Sequence, residues 1–179
     1  MKRIFLVALA LATIPTSVSA QMIDDILAAA TPRARENATV VKWNADFTYE
    51  TLKEGSNQMV CYNRADERDR PPFAVQCTNL GNLERVAQSR RFRAATSDAA
   101  GEREMVAEAE ANGTRVLPEY GSIWLSMNGA DRGSARTHVT IAVPMATEES
   151  TGFPESRAGG DVYLMSAGTT TAHLMMPGE

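Results

Sequence analysis

Two histidines, a methionine and two cysteines are the residues of this chain whose types and spacing could do chemistry. His138 lies in the run Thr137 to Val143, and His173 and Met175 lie two positions apart in the run Thr171 to Met176. Both runs read as strands, and on a strand residues i and i+2 share a face. Were the two strands close, His138, His173 and Met175 would form an imidazole–thioether cluster suited to copper as Cu(I). The plainer reading makes His173 a hydrogen-bonded residue near the core and Met165, Met175 and Met176 packing, since methionine fills irregular gaps well.

Cys61 and Cys77 are the only cysteines. Each sits in a strand-like run, and between them lies Asn63 to Pro72, too polar for core and read as an exposed loop. In an oxidising compartment two thiols in one small domain close on each other. A bridge closing a loop of about 15 residues is worth about 3 kcal/mol in the chain-entropy model. Redox-active pairs normally sit closer, as in a Cys-x-x-Cys turn. Catalysis finds less support: there is no Gly-x-Ser-x-Gly, Ser-x-x-Lys, His-Glu-x-x-His or phosphate-cradling glycine loop. A hydrolase would need a serine and a carboxylate brought in space to His138 or His173. With no nucleophile marked, the reading leans away from an enzyme.

The compartment follows from the start of the chain. Met1-Lys2-Arg3 is positive, Ile4 to Ala12 is unbroken apolar sequence, Pro15 breaks it, and Val18-Ser19-Ala20 suits a signal peptidase. The expectation is a signal peptide over 1–20 and a single exported domain over 21–179, periplasmic or secreted. The apolar run is about half the length of about 20 residues needed to cross a bilayer, so no stable membrane anchor is expected after cleavage. Loss of Lys2 and Arg3 with the leader takes the formal charge from −4 to −6. That disfavours nucleic acid and anionic lipid, which call for a concentrated basic surface. The densest basic cluster, Arg90-Arg91-Phe92-Arg93, reads as a solvated helix end.

The elements that must position these residues fall in three stretches. Met22 to Ala30 reads as a short helix ended at Thr31-Pro32. Ala38 to Trp43 is a strand, and Phe47 to Leu52 pairs with Gln58 to Tyr62 as a hairpin across Lys53 to Asn57. After Cys77 the period becomes helical. Asn79 or Asn82 can cap a helix carrying Leu83, Val86 and Ala87, whose apolar period places its end before Phe92; a second begins at Ser97 or Asp98 and stops at Asn112-Gly113. Ser122 to Met127, Thr137 to Val143, Val162 to Ala167 and Thr171 to Met176 return to strands. The pattern predicts an α+β domain: a small antiparallel sheet with two or three helices and one disulfide.

The ending Asp161-Val162-Tyr163-Leu164-Met165-Ser166-Ala167-Gly168-Thr169, then Ala172-His173-Leu174-Met175-Met176-Pro177, resembles that of a family of exported bacterial proteins. Thr137-His138-Val139, Gly152-Phe153-Pro154, Gly55 and Asn57 before Cys61, and Cys77 before a helix add to it. The family has no established activity, so the resemblance implies bacterial export and carries over no catalytic residue. The function expected is a non-catalytic module binding a small molecule or a protein partner, in a cleft beside the loops 129–136 or 145–160. Copper binding through His and Met, and a hydrolase with a spatially assembled triad, stand as alternatives.

Overall fold

The chain is described by a computed structural model over residues 16–159 and 161–176. The apolar run Ile4 to Ala12, on which the signal peptide rests, lies outside the described residues. The first helix, α1 (Thr16–Ile26), runs without a break across the expected cut after Ala20.

Eight strands form one sheet: β1 (Thr39–Trp43), β2 (Tyr49–Lys53), β3 (Met59–Asn63), β4 (Phe73–Asn79), β5 (Ile123–Gly129), β6 (Arg136–Ala142), β7 (Tyr163–Met165) and β8 (His173–Met176). Their order is β2-β1-β3-β4-β5-β6-β8-β7. Five α-helices occur among the described residues: α1, α2 (Pro32–Arg35), α3 (Leu83–Ala95), α4 (Ala99–Ala111) and α5 (Glu148–Thr151). The α+β class and the disulfide are as expected. The sheet is larger than expected, and it is mixed, because β1 and β3 run parallel.

That parallel pair replaces the predicted hairpin between 47–52 and 58–62. β2 folds back on β1, not on β3. Burial explains the choice. Thr39, Val40, Val41 and Trp43 of β1 are buried, whereas β2 is mostly exposed, so β1 takes an interior place and β2 the edge. The turn between them is shaped by Asp46, whose Oδ1 accepts from the Thr48 N–H (3.0 Å) and hydroxyl (2.6 Å). The connection 54–58 then crosses the start of β1. Ser56 and Asn57 donate backbone N–H groups to the Asn37 carbonyl at 2.9 and 3.1 Å. Gly55 packs so closely there that a Cβ would lie 2.3 Å from that carbonyl oxygen.

Both sheet faces are covered. On one, Ile26, Leu27, Ala29 and Ala30 pack on Val40, Cys61, Val75 and Leu125. Cys61 and Cys77 stand directly opposite across β3 and β4 and are bonded to each other in this core. On the other face, Leu83, Val86 and Ala87 of α3 pack on Val41, Val60 and Tyr62. α3 runs past Phe92 to Ala95, further than its apolar period suggested, because Phe92 meets the Arg115 guanidinium 5.5 Å from its ring centroid. Neither Asn79 nor Asn82 caps that helix through its side chain. Asp98 does cap α4, accepting from the Gly101 N–H, and Gly113 at φ +73° follows the helix end as expected.

Candidate functional site

The register settles how the histidines stand. Ala142 of β6 lies opposite His173 and Thr140 opposite Met175, so His138 shares their face. It nevertheless lies four residues along the sheet from the level of His173, about 14 Å at strand rise. His138 is exposed. His173 is half-buried, and its Nδ1 lies 2.7 Å from the Thr171 carbonyl, to which that nitrogen donates its N–H. The two imidazoles therefore do not converge, and His138, His173 and Met175 do not fit a shared copper ion. Among the described residues no group of three or more His, Cys, Asp and Glu could hold a metal ion. Neither histidine has a serine hydroxyl or a carboxylate within hydrogen-bond reach among those residues, so the triad arrangement is not assembled either.

The structure gathers arginines instead. Arg90 and Arg93 are not a solvated helix end. Arg90 falls one heptad after Leu83 and four residues after Val86, on the stripe of α3 that faces the sheet. The loop between the cysteines is not simply exposed either, because it carries Glu67 into this stripe. The Glu67 carboxylate, only 4% exposed, meets Arg64 (2.7 Å), Arg90 (2.6 Å), Arg70 (3.6 Å) and Arg93. Glu102 of α4 takes Arg93 at 2.8 Å and Arg68 at 3.2 Å. Asp66 takes the other side of Arg90 at 2.5 Å. A loop too polar to be core becomes part of the interior because its charges find partners there.

Beyond this saturated cluster the cationic character continues into a cleft of about 260 Å³ between α3, α4 and the sheet. Its floor includes Gln76, Trp124, Thr140 and His173, carried by four strands. Arg85 and Arg115 line it too, at 6% and 8% exposure, and neither has a carboxylate in ion-pair contact among the described residues. Arg85 donates to the Val116 carbonyl, to Thr170 Oγ1 (3.2 Å) and to Thr171 Oγ1 (2.9 Å). Glu110 reaches Arg85 only through those threonines, accepting from the Thr170 N–H at 3.0 Å. Burial, and then the charge of Arg115, push the Arg85 guanidinium down to about 10. Arg115 donates to Gln88 Oε1 (2.6 Å) and Ser89 Oγ (2.8 Å), and its buried Nε–H has no acceptor among the described residues.

The wall that carries Arg115 and Pro118 is held by a buried amide. Asn82 donates to Thr78 Oγ1 (2.8 Å) and Ser122 Oγ (2.9 Å) and accepts from the Glu119 N–H at 2.8 Å. Neither the 129–136 nor the 145–160 loop lines this cleft, which lies elsewhere than expected.

The fold and this cleft together define an α+β domain with a partly uncompensated cationic pocket. Comparison of the chain with the known protein families, the curated proteins and the solved structures finds no match. The cleft was within partial reach of sequence reasoning. Arg85, Ser89 and Arg93 recur at four-residue spacing, which is one helical stripe, and Asp66-Glu67 supplies opposite charge nearby. Arg115 gave no such signal, because it sits in an irregular stretch after α4.

Proposed function

We propose that the protein is an exported, non-catalytic module that binds a small anionic molecule in the cleft between α3, α4 and the sheet. The observation that carries this reading is the pair Arg85 and Arg115, buried and, among the described residues, lacking the carboxylate contacts that Arg64, Arg90 and Arg93 possess. A buried charge ordinarily has a paired counter-charge, and an anion entering from solvent would supply it. The cleft is slightly smaller than the 300–1,000 Å³ usual for drug-sized ligands, which favours a small metabolite over a polymer. Export is supported by the leader-like start of the chain and by a buried disulfide, which oxidising compartments favour. No described helix is long and apolar enough to cross a membrane.

The test is a thermal-shift and calorimetric screen of protein recovered from an export-competent host, its amino terminus determined by mass spectrometry. Processing to Gln21 is expected. An anion present at 100 times its Kd should add about 2.7 kcal/mol, raising the melting temperature by about 5–10 °C for a domain of this size. The result against the reading is a melting temperature unmoved by carboxylates, phosphate and sulfate alike.

A further inference from the structure

The cleft combines guanidinium donors with apolar side chains, and this narrows the class of anion. Three N–H groups of Arg85, both on Nη1 and one on Nη2, are engaged by Val116, Thr170 and Thr171, while its Nε–H makes no hydrogen bond among the described residues. A guanidinium has five N–H donors in a planar fork, so Nε–H and the remaining Nη–H are left for a ligand. Two parallel donors on one edge match the two coplanar oxygens of a carboxylate. Apolar lining comes from Val86 of α3, Val106 of α4, Pro118 and the half-buried Trp124 of β5. The guanidinium groups of Arg64, Arg90 and Arg93, which also line the cleft, are already engaged by Glu67 and Glu102, so a second anionic group there would have to compete with those carboxylates.

Resting on the anion-binding reading above, we infer that the ligand is a small monocarboxylate with an apolar, ring-sized body. Its carboxylate takes the open edge of Arg85, with Arg115 adding positive charge from the same wall. Its body lies against Trp124, Val86 and Pro118. A phosphate or a dicarboxylate satisfies the charge but leaves the apolar wall uncovered or brings a second charge towards Glu67. A neutral amide of the same shape covers the wall but loses the charge-assisted pair.

The experiment is calorimetric titration of the full, disulfide-bonded protein with benzoate, phenylacetate, acetate, phosphate, succinate and benzamide. Benzoate or phenylacetate should bind at least about tenfold more tightly than acetate, because the ring buries apolar area. Benzamide should lose at least about tenfold through loss of the charged acceptor. Ligand should change the indole fluorescence, and Trp124→Phe should abolish that change while leaving Trp43 in place. Arg85→Lys keeps a charge without the fork and should erase the preference for carboxylate over phosphate. Arg85 also holds Val116 and so could fail to fold when changed. Thr140→Phe therefore fills the cleft from a floor position whose side chain makes no hydrogen bond among the described residues, and it should abolish binding with the melting temperature nearly unchanged. Equal affinity for acetate and benzoate, or tighter binding of phosphate or succinate, would overturn the ligand class and leave the anion reading standing. Failure of every anion to bind the folded protein would overturn both.

Discussion

Replacing Glu67 by glutamine leaves four guanidinium groups around a side chain that can no longer neutralise them. The carboxylate is 4% exposed, and its partners Arg90, Arg64 and Arg93 are 9%, 13% and 16% exposed, so water cannot take over the charge. Removing one partner of a buried ion pair costs about 3–5 kcal/mol, most of it the penalty of the charges left behind. A domain of this size loses about 2–4 °C of melting temperature per kcal/mol. Glu67→Gln should therefore melt about 6–20 °C below the parent protein. Glu50→Gln provides the control, because Lys42 and Glu50 pair at 2.9 Å with side chains 60% and 52% exposed. An exposed pair is worth at most about 1 kcal/mol and is weakened by salt. Melts followed by circular dichroism in low and high salt separate the two cases. The Glu67 deficit should persist in high salt and the smaller Glu50 deficit should vanish. A Glu67→Gln protein melting within about 2 °C of the parent would refute the reasoning, since glutamine could not then be leaving uncompensated buried charge.

Three further outcomes can be checked alongside. Reduction of the Cys61–Cys77 bridge, or its replacement by two alanines, should cost about 3 kcal/mol, read as a lower urea midpoint with a thiol assay confirming the redox state. Gly55→Ala should destabilise by more than about 1 kcal/mol, seen in the same urea melts, because the new methyl group would meet the Asn37 carbonyl 2.3 Å away, where backbone must move. The carboxyl of Glu110 is raised by burial, but hydrogen bonds from Thr170 and Thr171 and the charge of Arg85 outweigh this and hold it below its ordinary value. Its stabilising effect is thus complete above the unfolded carboxyl value near about 4.3 and lost as pH falls through the lower folded one. Glu110→Gln should flatten the acid limb of a stability–pH profile measured between pH 5 and pH 3.

The amino-acid sequence by itself determined the α+β class, the pairing of Cys61 with Cys77 and the end of α4 at Asn112-Gly113. Each of these depends on local pattern or on a choice without competitors, since two cysteines in one chain have only each other. What only the tertiary structure decided was partnership. Alternation in 47–52 and 58–62 marks two strands, but nothing local says that β1 should stand between them, and that came from burial of Val40 and Val41 on both sides. The same holds for the charges. Arg90, Arg93 and Glu67 look solvated one at a time, because an isolated charge belongs in water. They become interior residues only when the loop closed by Cys61 and Cys77 folds onto α3 and sets carboxylate against guanidinium. Arg85 and Arg115 were brought to one cleft by the same packing, with no carboxylate of the described residues in ion-pair contact with them. That imbalance is a property of assembled neighbours, and no single stretch of the chain contains it.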